Sequence, residues 1–185
     1  VDHALVDTFG LFNPKSVGLE PIMASTACWH GYVCRYAVID SKLVLQDLWV
    51  NLGPNPEFPE DPEAPKHPVV PTINGVSPIC AGDDGSIFSH FYEGMNLPIN
   101  FSGRLQIAHG FIDSHYRHMG FQPAWTFQTV YELEFENGEL LSLSDISLEN
   151  AMAREARIRE AEQQKPTPGK FQRLMSRIFG RTPSQ

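Results

Sequence analysis

Cysteine is scarce in this chain of 185 residues, which contains only Cys28, Cys34 and Cys80. Three cysteines at loose spacing do not build a disulfide framework, so we expect a reducing, cytoplasmic compartment. Cys28 and Cys34 fall at even positions of one expected strand and therefore share a face. No further Cys or His pair follows at a zinc-like spacing, which favours two buried thiols over a metal pair.

Long apolar runs and common catalytic motifs are also missing. The longest wholly apolar runs are a few residues, which is too short to span a bilayer. The sequence has no Gly-x-Ser-x-Gly elbow, no phosphate loop and no dinucleotide fingerprint. We therefore favour a protein that is not an enzyme, and we predict no cofactor.

Charge is distributed unevenly along the chain. The net charge is −8, yet the tail, residues 165–185, contains no acidic residue. Its basic residues are Lys165, Lys170, Arg173, Arg177 and Arg181. Because the tail carries +5, residues 1–164 carry −13. An acidic body repels phosphate, so we expect no nucleic-acid partner for it and favour a basic protein partner.

The strand pattern predicts a mainly β domain over residues 1–147. Residues 1–25 have the composition of an irregular lead-in. A hairpin follows, with β-branched and aromatic strands on either side of a turn at Asp40-Ser41-Lys42. Together with the strands that follow, this pattern predicts a bent antiparallel sheet or a partly open barrel.

The clearest hairpin signal lies at Asn137-Gly138, because both positions of a favoured two-residue turn need positive φ. Apolar and polar side chains alternate before this turn, and only Val130 interrupts the polar face. We expect Leu141 and Leu143 to continue the apolar face after the turn. Next, Ser147 is predicted to cap a C-terminal helix over residues 148–164.

Six prolines recur at every third position from Pro56 to Pro71. Three residues per turn is the period of the polyproline II helix, so residues 54–71 are predicted to form a stiff connector about 45–50 Å long. The alternative is a ligand for an aromatic groove of the SH3 or WW type. Acidic residues between the prolines favour the connector.

The tail shows the most ordered pattern in the sequence. After a hinge at Pro166–Gly169, five apolar residues fall within an arc of about 140° on a helix. They are Phe171, Leu174, Met175, Ile178 and Phe179, and Arg173 and Arg177 lie on the opposite side. We predict that these residues form a separate amphipathic tail helix that binds a partner protein or a second copy of the chain. An anionic membrane is the less favoured surface, because one short basic helix anchors weakly.

Histidines offer an alternative function. His109, His115 and His118 lie near Asp113, and imidazole and carboxylate groups bind zinc or iron. Their spacing matches no common ligand motif, so polar histidines beside the core are favoured. The alternative is a small metal-binding protein or enzyme. A third hypothesis is a small-molecule binder with an aromatic-lined cavity inside the curved sheet.

Several segments resemble small uncharacterised bacterial proteins: STACWHGYVCRYAVIDSKLVLQDL, GRLQIAHGFI, YRHMGFQPAW and YELEFENGEL. The resemblance covers most of residues 25–147 and implies a β-rich fold and a bacterial cytoplasmic origin. It brings no activity with it. Taken together, the sequence favours a non-enzymatic binding or accessory protein, similar to an immunity protein or inhibitor, that acts through its tail and its acidic body.

Overall fold

The structure, a computed structural model, describes residues 4–6, 10–53, 70–81, 86–118 and 122–164. Within these residues nine strands form one antiparallel sheet. They are β1 (Ala4–Val6), β2 (Tyr32–Ile39), β3 (Lys42–Val50), β4 (Ile79–Cys80), β5 (His90–Tyr92), β6 (Leu97–Pro98), β7 (Gly103–Phe111), β8 (Phe127–Glu136) and β9 (Glu139–Asp145). One helix follows, α1 (Ser147–Gln164).

The strand order is β1-β7-β8-β9-β3-β5-β4, and β2 and β6 also pair with β3. The sheet does not close into a barrel. This confirms the predicted mainly β fold, an antiparallel sheet with a C-terminal helix. Among the described residues, no helix combines the length and apolar character needed to cross a membrane.

The first predicted hairpin is confirmed by β2 and β3. Asp40 and Ser41 have φ values of 48° and 62°, as a type I′ turn requires at its two central positions. The register changes between Arg35 and Tyr36, which face Asp47 and Leu45. Gln46 is therefore an extra residue on β3, a β-bulge that bends this strand.

The second predicted hairpin is formed by β8 and β9, with φ values of 50° and 84° at Asn137 and Gly138. The expectation for Leu141 and Leu143 is wrong, because both side chains are exposed. Leu143 lies opposite buried Leu133. However, β9 pairs with β3 at a single position. The second half of β9 therefore lies at the margin of the sheet, where the core does not cover it.

The lead-in also differs from expectation, because residues 4–6 form a strand. β1 pairs with β7 in the register Ala4↔Ala108 to Val6↔Gln106. Further along, a 3-10 helix spans Pro14–Val17, and Phe12 and Leu19 on either side of it enter the core. The lead-in is therefore part of the folded domain.

The main core lies on one face of the bent sheet. β3 contributes four of its buried residues and β8 contributes two, and the chain between β5 and β7 adds Met95 and Ile99. Among its members are Leu43, Leu45, Leu48, Val50, Ile73, Tyr92, Met95, Ile99, Leu105, Leu133 and Phe135. A smaller cluster on β7 and β8 contains Ala108, Phe127 and Val130, with Ile146 packed against it. Val130 interrupts the polar face in the sequence because it is buried in this second cluster.

Helix α1 begins at Ser147, but Ser147 does not act as its cap. The Ser147 hydroxyl accepts the Val130 N–H at 3.0 Å, and Asp145 Oδ1 accepts the Ser147 N–H at 2.9 Å. The first turns are held to the sheet by Asn150 and Arg154, which donate to the carbonyls of Ala124 and Phe127 at 3.0 Å. Most later side chains are exposed.

The proline segment lies mostly outside the described residues, which resume at Val70. The residues that flank it are anchored close together. Ser89 Oγ accepts the Leu52 N–H at 2.8 Å, and the Tyr92 hydroxyl donates to the Pro71 carbonyl at 2.7 Å. The described residues on both sides of 54–69 are therefore anchored to the region of β5. The polyproline II connector itself stays a prediction.

Candidate binding surface

The tail that the sequence favours as a binding element lies outside the described residues. This applies to every residue predicted to bind there: Phe171, Arg173, Leu174, Met175, Arg177, Ile178 and Phe179. Their role stays a prediction.

The three histidines of the metal hypothesis lie at different places in one region. His109 is on β7 opposite Thr129, His115 packs its ring 5.7 Å from that of Trp125, and His118 is exposed. No group of three or more His, Cys, Asp or Glu side chains is placed to hold a metal ion within the described ranges. The metal hypothesis therefore gains no geometric support. Elemental analysis of protein purified without chelator tests it directly.

The cysteines are all free, and they differ in exposure. Cys28 is buried, and its thiol lies 3.6 Å from the Tyr32 carbonyl. Burial raises the pKa of the Cys34 thiol to about 11, although a hydrogen bond with Tyr36 acts in the opposite direction. Cys80 is exposed. That Cys28 and Cys34 do not form a metal pair stays a prediction.

An apolar row crosses the sheet on the face opposite the main core. The registers place Ile79 opposite Phe91, Phe91 opposite Trp49, and Trp49 opposite Val33. Residues directly opposite one another in an antiparallel sheet share a face. These four side chains, which we call the outer row, therefore form a continuous line across β4, β5, β3 and β2. Ile79 is 53% exposed and Val33 is 45% exposed.

A charged pair lies next to the outer row. Arg35 Nη1 is 3.1 Å from Asp47 Oδ2, and the guanidinium carbon lies 5.1 Å from the centre of the Trp49 ring. Asp47 is buried, and its other oxygen accepts the Gly94 N–H at 2.8 Å. Arg35 is therefore held over the indole by a fixed carboxylate, which keeps both the cation and the ring at the surface.

Sequence reasoning missed the outer row because it assigned most aromatic residues between 29 and 135 to the core. Tyr92, Phe127 and Phe135 are buried as expected. Trp49 and Phe91 instead lie on the outer face, and Trp29 is 71% exposed. The available signal was that apolar residues occupy both parities of β2 and β3. A strand with one face in water is expected to alternate.

The structure contains a surface cleft of about 350 Å³ between the two hairpin turns. Its lining includes Lys42, Pro98, Asn137 and Glu139, and none of its lining residues is aromatic. This cleft is open to solvent and lies at the margin of the sheet. It is not the aromatic-lined cavity of the small-molecule hypothesis, which stays a prediction that a thermal-shift screen tests.

Comparison of the chain with protein families, curated proteins and solved structures finds no match. The resemblance to bacterial β-rich proteins therefore stays an expectation.

Proposed function

We propose that this chain is a non-enzymatic binding or accessory protein that engages a protein partner or a second copy of itself. The observation that carries the proposal is the outer row. An antiparallel sheet with one face on the core normally presents polar residues on the other face. Here the other face presents Val33, Trp49, Phe91 and Ile79 in one line.

The chemistry of this face suits protein binding. Contiguous exposed apolar patches with polar rims mark interaction sites in soluble proteins. Trp and Arg are enriched among the residues that dominate binding free energy. The Arg35–Asp47 pair and the Trp49 ring supply that combination beside the apolar side chains. A row that crosses four strands also favours a protein surface over a small molecule, which binds in a pocket.

The charge of the chain narrows the kind of partner. Residues 1–164 carry −13, which steers basic proteins toward the body and disfavours nucleic acid. An inhibitor or immunity-like role fits an acidic protein that binds a basic one. We also propose a cytoplasmic location, because the exposed free thiol of Cys80 suits a reducing compartment.

The tail is the second element of the proposal. Its apolar side, Phe171 to Phe179, and its basic side are argued from the sequence alone. A short amphipathic helix is marginal without a surface to cover its apolar side. Deleting residues 166–185 should therefore weaken partner capture or self-association. An unchanged profile in pull-down and light scattering would remove the tail from the proposal and leave the outer row.

The outer row is tested with the double variant Ile79→Thr/Phe91→Thr. Threonine keeps a β-branched side chain on each strand and removes the apolar surface. Leu148→Gln is the matched control, because Leu148 is 72% exposed on α1, away from the row. Thermal melting first shows that each of the three proteins is folded. Each is then immobilised, and the partner proteins that it retains are quantified by mass spectrometry.

We expect the double variant to retain at most one tenth of the amount of partner that wild type and Leu148→Gln retain. The same loss in Leu148→Gln would indicate non-specific adhesion and would contradict the proposal. Equal retention by all three proteins would also contradict it, because the outer row would then contribute nothing.

A further inference from the structure

Strand β2 has a long free edge. Along one side it pairs with β3 from Tyr32 to Ile39, and the described residues provide no strand on its other side. The Asn51 N–H donates to the Gly31 carbonyl at 2.8 Å, so the backbone of residue 31 is turned toward β3. Backbone direction alternates along a strand. The N–H and C=O groups of Tyr32, Cys34, Tyr36 and Val38 therefore point away from β3.

The other end of β2 agrees with this alternation. Val38 lies opposite Leu43. Leu43 donates its N–H to Gly138 at 2.8 Å and accepts the Ile99 N–H at 3.0 Å. Both groups of Leu43 thus point away from β2, so Val38 and Leu43 form a non-hydrogen-bonded pair. The backbone N–H and C=O groups of Val38 therefore point away from β3. This agrees with the alternation that starts at Gly31.

This edge has little protection against pairing. Natural proteins guard free edges with proline, lysine, short strands or bulges on the edge strand. β2 is eight residues long and contains neither proline nor lysine. Arg35 is the single charged residue of β2, and its guanidinium group contacts Asp47 and Trp49. Val33, Val38 and Ile39 are 45%, 39% and 37% exposed.

The other edges of the sheet are less suited to pairing. β1 and β4 have three and two residues. The free part of β9 contains Ser142, Ser144 and Asp145, and its register shift leaves Leu141 as an extra residue. A polar, bulged strand resists the addition of another strand. β2 is therefore the edge on which a further strand is expected.

We propose that β2 pairs edge to edge with β2 of a second copy of this chain, in antiparallel orientation, with the two-fold axis at Tyr36. This inference goes beyond the proposed binding function, because it adds a contact between two copies of the chain that does not require Ile79 or Phe91 of the outer row. The outward backbone groups of Cys34 then bond with those of Val38 in the second copy, and those of Tyr36 bond with Tyr36. The sheet becomes continuous across the axis.

The side chains select a second copy because β2 is self-complementary in this register. Val33, exposed on the outer face, lies opposite exposed Ile39 of the second copy. Arg35 lies opposite Ala37, the smallest side chain of the strand. Two-fold symmetry requires one patch to match itself, and here the exposed residues Val33 and Ile39 meet each other while the two guanidinium groups stay apart.

Registers with the axis at Arg35 or Cys34 are worse on the same criteria. An axis at Arg35 places two guanidinium groups directly opposite, and like charges in that position are destabilising. An axis at Cys34 places Arg35 against Val33 and leaves Ile39 uncovered. It also requires the Tyr32 carbonyl, which already lies 3.6 Å from the Cys28 thiol. The axis at Tyr36 avoids all three problems.

The full chain is tested by analytical ultracentrifugation from about 1 µM to 1 mM, the range expected for a contact at the small end of interface sizes. We expect the weight-average mass to rise from 20.8 kDa toward twice that value. Ile39→Lys places an ammonium against Val33 of the second copy and should weaken the dimer at least tenfold. Ile79→Thr/Phe91→Thr, which leaves β2 unchanged, should dimerise like wild type.

Hydrogen exchange of the wild-type chain provides a readout that needs no variant. The amides of Cys34, Tyr36 and Val38 should exchange at least tenfold more slowly at the highest concentration than at the lowest. Those of Val33, Arg35 and Ala37 should change little, because β3 already holds them. Protection of this alternating set supports the inference.

Three outcomes would overturn the β2 dimer. They are a monomer at every concentration, a dimer with no change at the alternating amides, and a dimer that survives Ile39→Lys but dissociates in the outer-row variant. The last would leave the proposed function intact. Conversely, failure of the proposed function appears as partner capture that the outer-row variant does not alter, whatever Ile39→Lys does to the dimer.

Discussion

Asp47 on β3 accepts a hydrogen bond from the backbone N–H of Gly94, which follows β5. Its Oδ1 accepts the Gly94 N–H at 2.8 Å while its Oδ2 lies 3.1 Å from Arg35. Gly94 precedes Met95, a core residue that is 1% exposed. The carboxylate thus fixes the bend between β5 and β6 that carries Met95 into the core, and it also positions Arg35 over Trp49.

We expect Asp47→Ala to destabilise the fold by about 2 kcal/mol, because the hydrogen bond from the Gly94 N–H to a buried carboxylate is lost together with the ion pair. Asp47→Asn is the matched control, since its amide oxygen still accepts that N–H. It loses only the ion pair with a half-exposed arginine, which is worth at most about 1 kcal/mol. Urea unfolding measures both. Equal destabilisation by the two variants would contradict this assignment.

The two Asn-Gly turns allow a comparison of backbone strain with steric contact. Gly75 and Gly138 have φ values of 80° and 84°. A Cβ on Gly138 would meet the Ile99 carbonyl oxygen at 2.4 Å, whereas one on Gly75 would meet nothing within 4 Å. We expect Gly75→Ala to cost about 1–2 kcal/mol, from the left-handed backbone alone.

Gly138→Ala should cost more than Gly75→Ala, because the backbone of Ile99 must move as well. That backbone is tied to β3 through the Ile99 N–H, which donates to Leu43. Thermal or urea unfolding of the two variants gives the difference directly. A smaller effect at Gly138 than at Gly75 would show that the contact between the hairpin turn and residue 99 is easily relieved.

These turns also show which parts of the fold the sequence predicts. Asp40-Ser41 and Asn137-Gly138 set their hairpins through local backbone preference, so both were found without the structure. Non-local pairing was not predictable in this way. The contact between Ala4 and Ala108 joins distant parts of the chain, and no local pattern encodes it.

The candidate binding surface was missed for a related reason. Period-two alternation identifies the face in water only when one face is polar. In β2 and β3 both faces are apolar, so Trp49 can be assigned to the outer face only after its registers with Phe91 and Val33 are known. The prediction that Leu143 is buried is wrong for a different reason. Its parity is that of the core residues, but the second half of β9 extends beyond the part of the sheet that the core covers.

The thiols should react in an order set by exposure and pKa. Cys80 is exposed, whereas burial raises the pKa of Cys34 to about 11. The thiolate is the reactive form, so Cys34 is almost fully protonated at pH 8. We expect iodoacetamide at pH 8 to label Cys80 first, and at least tenfold faster than Cys34, by peptide mass spectrometry.

Cys80→Ser is the control for this labelling experiment. The folded variant should show only slow modification, and labelling of Cys28 and Cys34 should become rapid in urea, where burial is lost. Fast labelling of Cys34 in the folded variant at pH 8 would contradict the buried, protonated thiol. It would also indicate that the β2–β3 hairpin opens on the timescale of the reaction.

His90 should make the fold less stable as the pH falls. Its Nδ1 lies 2.8 Å from Ser89 Oγ, and burial lowers the pKa of the ring below the ordinary histidine value of 6.5. The unfolded chain therefore binds a proton at a higher pH than the folded chain does. The contribution of a neutral His90 is complete above pH 6.5 and is lost as pH falls toward the folded pKa.

Protonation of His90 also changes the hydrogen bonds of Ser89. With its proton on Nε2, the neutral His90 ring accepts the Ser89 hydroxyl at Nδ1, and the hydroxyl oxygen in turn accepts the Leu52 N–H at 2.8 Å. Protonation makes Nδ1 a donor, so the hydroxyl must turn to the Val50 carbonyl at 3.4 Å. We expect wild type to lose more unfolding free energy between pH 7.5 and 5.5 than His90→Gln does, measured by urea titration at each pH. An equal loss in both proteins would show that His90 titrates alike in the folded and unfolded chains.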